Sequence, residues 1–195
     1  MKNDFGIGAQ TRPTVFLILG PGESGKDTAG DELCRLSKLP KDSTSEAFCR
    51  RLGRKRDDLA RWLGGKWRIV LGEWMAAYNV LDGSRCRLYR EMYEGDGCRI
   101  FTGIRRFGEL IAFLEWLDGR AEAVVWWIDA SRRDLSPDLS MRITLEGIQG
   151  YPYDDISCMV IDSNAGVEEL RAEVRQAWRE FQAREEGADG TRAEA

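Results

Sequence analysis

Between Gly20 and Thr28 the chain reads Gly-Pro-Gly-Glu-Ser-Gly-Lys-Asp-Thr. Glycines at Gly20, Gly22 and Gly25, with Glu23 and Ser24 between them, let successive backbone N–H groups point at one spot. Converging N–H groups at the start of a helix bind phosphate, and Lys26 adds a cation that reaches further phosphate oxygens. Asp27 and Thr28 then supply the oxygen donors that Mg2+ prefers. Either Asp27 holds a magnesium-bound water or the Thr28 hydroxyl takes the ion. The chemistry this stretch can do is to hold a polyphosphate together with its metal.

Negative charge spreading over a transferred phosphoryl group calls for arginines. Arg105 and Arg106 follow the short apolar run Cys98 to Thr102, and Arg132 and Arg133 open the polar loop after Asp129. A third basic group, Arg50, Arg51, Arg54, Lys55, Arg56, Arg61, Lys66 and Arg68, is interleaved with Trp62 and Trp67. Cations with aromatics suit a nucleotide or a single-stranded nucleic acid, by phosphate pairing and base stacking. A solvated helix face with two core tryptophans gives the same pattern. Arg68, set against Ile69 and Val70, has the best individual claim to a substrate. The carboxylates Glu73, Asp82, Asp154 and Asp155 can take a hydroxyl proton or hold a metal, and nothing in their spacing chooses among them. Asp129 ends an apolar run like a Walker B strand by hydrophobicity alone, and a helix or loop cap is the favoured role. Histidine is absent, which removes Ser-His-Asp and Cys-His nucleophiles and histidine-ligated zinc.

The elements that must position these residues follow from the hydrophobic pattern. Thr14 to Leu19 is a β-branched, apolar strand after a polar lead-in closed by Pro13, and from Gly25 an amphipathic helix runs until Pro40 stops it. The stretch from Thr44 to Gly95 carries helical spacing without clear strands and reads as an inserted helical region. Cys98 to Thr102 is a short buried strand, Phe107 to Leu117 a helix, Ala123 to Ile128 a buried strand, and Ile156 to Ile161 the last strand. Ser163 or Asn164 is expected to cap a helix from about Val167 to Phe181, with 185–195 a frayed tail. Strands alternating with helices predict an α/β fold with a parallel sheet of about five strands in three layers.

A length of 195 residues suits one domain, and a net charge of -4 argues against a surface built throughout to hold DNA. Five scattered cysteines without a C-x-x-C pair encode neither a disulfide framework nor a zinc knuckle, and they point to a reducing compartment. With no apolar run near membrane-spanning length and no signal-peptide layout in MKND, the expected location is cytoplasmic.

The loop Gly20 to Thr28 is a Walker A motif, or P-loop, in which Asp27 stands where Ser or Thr is usual. Its Gly-Lys-Asp-Thr ending resembles the phage deoxynucleoside monophosphate kinases, within the wider nucleoside monophosphate kinase group. Those enzymes carry a strand ending in Asp-Val-Arg-Phe-x-x-Glu, to which Gly103-Ile104-Arg105-Arg106-Phe107-Gly108-Glu109 is similar. Arg105 and Glu109 match it, and Gly103 replaces the family's acidic residue. The resemblance implies a three-layer P-loop NTPase fold, with ATP and Mg2+ on Gly20 to Thr28. It places the acceptor at Arg105, Glu109 and Arg68, the last within an inserted helical region of about 41–95. It also implies a lid of about 131–150 bearing the catalytic Arg132, and an adenine contact at Asn164.

The expected function is transfer of the γ-phosphate of ATP to a nucleotide. The acceptor is a deoxynucleoside monophosphate or, as in similar thymidylate-kinase-like phage enzymes of DNA modification, 5-hydroxymethyluracil in DNA. ATP and one of these acceptors are the partners implied, with no membrane. A GTPase is disfavoured because no [NT]-K-x-D guanine motif occurs. The other class is a non-catalytic ATP-binding module, since Asp27 and Gly103 both depart from the usual magnesium apparatus.

Overall fold

The computed structural model describes residues 12–135, 142–150 and 157–192. Five parallel strands form one sheet: β1 (Thr14–Leu19), β2 (Lys41–Ser43), β3 (Ile100–Thr102), β4 (Glu122–Asp129) and β5 (Ser157–Asp162), in the order β2-β3-β1-β4-β5. β1 is central, paired with β3 through Ile18↔Thr102 and with β4 through Leu19↔Trp127. A central parallel strand is covered on both faces, which is why β1 is apolar at consecutive positions rather than alternately.

The alternation of β1 sorts the molecule into layers. Val15, Leu17 and Leu19 point into one core, which also holds Phe48, Leu71, Met75, Tyr89 and Phe113. Phe16 and Ile18 point into the other, with Leu33, Trp126, Leu170 and Val174. The first face is covered by α2 (Thr44–Arg51), α4 (Trp67–Asn79), α5 (Arg87–Glu94) and α6 (Phe107–Leu117), and the second by α1 (Lys26–Ser37) and α8 (Val167–Arg192). α3 (Arg56–Leu63) and one 3-10 turn (Gly64–Lys66) precede α4, and α7 (Leu145–Gln149) lies between β4 and β5. This is the expected three-layer α/β P-loop NTPase architecture with a five-stranded parallel sheet. All five cysteines are free thiols.

Three expectations are corrected. The region 41–95 is not purely helical, because Lys41–Ser43 pairs with β3 as an edge strand. At three residues, with charged Lys41 and Asp42, β2 has no hydrophobic period to betray it. Neither Ser163 nor Asn164 is the residue before α8, which starts at Val167; Ser163 Oγ donates to the Ser24 carbonyl and Asn164 Oδ1 accepts from Arg132 N. The helix also continues past Phe181 to Arg192, since 185–192 contains good helix formers among its glycines and charges. Ile156, Asp154, Asp155 and part of the expected lid, 136–141, lie outside the described residues.

Candidate active site

Because all strands are parallel, the loops after β1, β3, β4 and β5 gather at one end of the sheet, the carboxyl end, where open α/β sheets bind ligands. The β1–α1 loop is Gly20 to Gly25. Gly20 has φ +141, and a Cβ there would stand 2.7 Å from the Ile128 carbonyl oxygen. Gly25 has φ +96, and its Cβ would meet Leu170 Cδ2 at 2.7 Å. Both positions therefore need glycine, one for passage beside β4 and one for the packing of α8 behind the loop. Glu23, at φ +62, accepts a left-handed conformation with a side chain. Lys26 Nζ donates to the Pro21 carbonyl across the loop. The fully buried Ser24 has an Oγ without a hydrogen-bond partner, and its carbonyl accepts from Ser163 Oγ at 2.6 Å. Ser163 thus fastens the β5–α8 loop to the cradle.

Asp27 sits in the first turn of α1, where a negative charge is favoured by the helix dipole, and its carboxylate is largely exposed. Thr102 Oγ1, at the carboxyl end of β3, donates to Asp27 Oδ1 at 2.9 Å, and Lys41 Nζ lies 4.0 Å from the same oxygen. Thr28 is half-buried one residue on. Thr102 was not singled out by sequence reasoning; its signal is a polar residue closing the apolar run Ile100-Phe101. Gly103 follows at φ +93, and a Cβ there would lie 2.9 Å from the buried Thr44 Oγ1. The approach of α2 leaves no room for an acidic side chain at this position.

Arg105 and Arg106 follow on the β3–α6 loop. Arg105 is half-buried, and its carbonyl accepts from the Arg142 N–H at 2.7 Å, which ties this loop to the segment before α7. Arg106 pairs with Glu73 of α4 at 2.5 Å, so neither of these two charges is available on its own. Glu109 is a correction to the expected substrate-binding carboxylate. It is 9% exposed, and its Oε2 accepts from the buried Tyr89 hydroxyl at 2.5 Å. Burial pushes its carboxyl above the ordinary range, against the hydrogen bond from Tyr89. The bond ties the first turn of α6 to α5.

The inserted helices reach the loop through Arg68, in the first turn of α4, whose Nη1 lies 3.2 Å from Glu23 Oε1. Four of the other arginines in the basic segment have ion pairs. Arg50 pairs with Asp42, Arg51 with Glu91 and Asp96, Arg56 with Glu46, and Arg61 with Asp58. Only one of the two tryptophans of that segment packs on a core: Trp67 does so, while Trp62 is 72% exposed.

On the far side of the loop, Arg132 N donates to Asn164 Oδ1 at 2.7 Å and its guanidinium bonds Asp162 at 2.5 Å. Asn164 donates to Asp162 Oδ1 from both its backbone N–H and its Nδ2, each at 2.7 Å, and these bonds, the backbone one foremost, hold the Asp162 carboxyl below its usual range. Arg133 Nη1 approaches Ser163 Oγ at 3.4 Å. Asp129 accepts from the N–H and hydroxyl of Ser131, the loop-capping role expected of it. The structure therefore brings Gly20 to Thr28, Arg68 and the Arg132–Asn164 pair around one cradle, and takes Glu109 out of it. Among the described residues no cluster of three or more His, Cys, Asp or Glu side chains could hold a metal by itself. No helix among them is long and apolar enough to cross a membrane.

Neither a protein-family model nor a curated protein matches the sequence. Solved structures with a similar chain path do exist. Shikimate kinase from Aquifex aeolicus is 18% identical, with 85% of this chain and 96% of that chain covered and a TM-score of 0.47. A putative kinase from Chloroflexus aurantiacus is 15% identical, with 89% and 98% covered and a TM-score of 0.49. A gluconokinase from Sinorhizobium meliloti is 13% identical, with 90% and 99% covered and a TM-score of 0.38. With TM-scores under 0.5, these likenesses say nothing of the reaction, which rests on this chain's own residues.

Proposed function

We propose that the protein is an ATP-dependent kinase whose acceptor is a nucleotide, in the first place a free deoxynucleoside monophosphate. The observation that carries this reading is the Gly20 to Thr28 loop on the central strand with Arg68 of the inserted helices held across it by Glu23. A phosphate-binding loop alone would serve any nucleotide-binding protein. A cation delivered to it from a separate helical arm gives a second anionic group somewhere to sit.

In this reading the backbone N–H groups of Gly22 to Lys26 hold the β-phosphate, and the Lys26 ammonium exchanges the Pro21 carbonyl for phosphate oxygens. Asn164 and Arg132 border the nucleobase, next to the cradle because Ser163 is bonded to Ser24. The oxygen donors of Asp27 and Thr28 fit Mg2+, which takes one or two protein oxygens and completes its shell with phosphates and water. Asp27 retains acceptor capacity beyond the single bond from Thr102. Bound there, the ion would neutralise charge on the phosphate oxygens. Arg105 stabilises the transferred phosphoryl, Arg68 anchors the acceptor, and Glu109 positions α6 beneath them.

A second reading, phosphorylation of a hydroxymethyl group on a pyrimidine within DNA, is favoured by the charge of the helical arm. Residues 44–79 hold eight basic and four acidic side chains in a chain of net charge -4. A single assay separates the readings: labelled ATP with nucleosides, monophosphates, and natural or hydroxymethylated DNA. Label transferred to a monophosphate and lost with Lys26→Ala supports the first reading, and label on hydroxymethylated DNA alone supports the second. ATP binding without transfer to any acceptor would leave a non-catalytic module and reject both.

A further inference from the structure

Among the described residues, eight large hydrophobic side chains are exposed, and six of them lie between positions 52 and 81. Scattered exposed apolar side chains need no explanation, but a concentration in one arm marks an interaction surface. Its centre is aromatic. Trp62 of α3 is 72% exposed and Trp74 of α4 37%, with ring centroids 6.5 Å apart and planes at 44°, so two indoles form an open wedge. Ile69, also exposed, lies on the same helix as Trp74. Trp62 is not what holds α3 in place, because Leu59, only 5% exposed, makes that helix's core contact.

Exposed cations flank the wedge along the chain. Arg54, Lys55 and Lys66 are exposed and have no ion pair among the described residues, and Arg61, 80% exposed, is paired only with its own helix's Asp58. Asp57 is the other acid of α3, and Glu73 of α4 is turned to Arg106. The arm is therefore an aromatic platform set in positive charge, on a protein that is otherwise acidic.

We infer that this face binds single-stranded nucleic acid, with unpaired bases stacking on Trp62 and Trp74 and the phosphodiester backbone tracking Arg54, Lys55, Arg61 and Lys66. A duplex hides its base faces, whereas a single strand offers them, and stacking on aromatics within a cationic surface is how such strands are held. A second copy of this chain is the poorer occupant, since two cationic arms would face each other across the symmetry axis. The inference does not depend on the strand being phosphorylated.

The test is binding of a labelled 12-nucleotide oligothymidylate to the full chain, without ATP, followed by fluorescence anisotropy at several salt concentrations. Saturable binding is expected, weakened about ten-fold or more by Trp62→Ala and largely restored in Trp62→Phe. The double variant Lys55→Glu/Lys66→Glu should bind more weakly and flatten the salt dependence by about 0.7 for each phosphate no longer neutralised. Trp62 is exposed, so circular dichroism should show Trp62→Ala folded. Equal affinity for an abasic strand of the same length would overturn the stacking. So would unchanged binding by Trp62→Ala, a dimer that Trp62→Ala converts to monomer, or Trp62-dependent binding to phosphatidylserine vesicles with none to the oligonucleotide. Because binding is read without ATP, its failure leaves the proposed phosphotransfer standing, and a failed transfer assay leaves this face standing.

Discussion

Arg68 Nη1 stands 3.2 Å from Glu23 Oε1, so a guanidinium from the first turn of α4 is tied to a residue inside the phosphate-cradling loop. Both side chains are about half exposed, and such a pair is worth about 0–1 kcal/mol. It is therefore a poor structural tie and an easily exchanged one. An arriving acceptor phosphate can take the guanidinium from Glu23 at little cost. Arg68→Ala should raise the KM for the acceptor about ten-fold while shifting the melting temperature by no more than a degree or two. Glu23→Gln, which frees the arginine, should leave kcat within a few-fold. Steady-state kinetics with thermal melting checks both, and an acceptor KM unchanged in Arg68→Ala would leave Arg68 a surface ion pair.

For Arg105 the expectation is larger and falls on a different parameter. A guanidinium that stabilises charge on the transferred phosphoryl contributes about a thousand-fold or more to kcat. Arg105→Ala should therefore lower kcat by that order with little change in ATP affinity, and Arg105→Lys should rescue poorly because an ammonium cannot reproduce the bidentate fork. If the side chain only anchors the acceptor, KM rises and kcat holds. Unchanged kcat and KM would mean that Arg105 serves the loop alone, through its tie to Arg142.

How much of this is legible in the sequence depends on whether the signal is local. The cradle is local: glycine spacing, the lysine and the flanking strand and helix are contiguous, and β1 is apolar enough to place it at the centre of the sheet. Phe107–Leu117 is likewise bounded correctly by its apolar period. Lys41–Ser43 is not, since a three-residue charged edge strand is defined by its partner β3 and has no pattern of its own. At the site, Arg68 can be named from its sequence surroundings, but its partner Glu23 is 45 positions away. Glu109 is misplaced by sequence for the same reason. Its match to the resembled motif assigns it to the acceptor, while Tyr89, twenty residues upstream, buries it.

That burial has a pH signature. Glu109 has its folded-state carboxyl raised above the ordinary value of 4.5, chiefly by burial. The folded state then binds a proton more tightly than the unfolded chain, so this group's contribution to stability is greatest below pH 4.5 and declines as pH rises through the folded value. Glu109→Gln, which keeps an acceptor for Tyr89, should remove that decline and melt at least as high as the parent at pH 7. Tyr89→Phe removes the donor and leaves a buried carboxylate short of a partner, at about 1–3 kcal/mol. At about 2–4 °C per kcal/mol, melting should fall by several degrees. Melting curves from about pH 4 to 8 read both variants, and a strongly destabilised Glu109→Gln would mean that the charge itself is required.

Glu32 behaves in the opposite sense and ties the second face of the sheet. Its side chain is 7% exposed and bonds Arg35 of its own helix at 2.7 Å and Arg175 of α8 at 2.8 Å. Arg35 foremost, then Arg175, hold its carboxyl down to about 2 from 4.5, against burial, which acts the other way. The unfolded chain therefore takes up the proton first as the solution is acidified. The stability from these pairs is fully present above pH 4.5 and is lost as pH falls towards about 2. Both arginines are substantially exposed, so solvent screening keeps the effect modest. Glu32→Gln should lower the melting temperature by a few degrees at pH 7 and flatten its fall between about pH 4.5 and 2.5, while leaving ATP binding at Gly20 to Thr28 unchanged. Because α8 also backs the cradle through Leu170 against Gly25, the same variant asks whether loosening that helix reaches the loop. Weakened ATP affinity at a temperature where the variant is still folded would show that the α1–α8 tie preorganises the phosphate site; unchanged affinity confines Glu32 to stability.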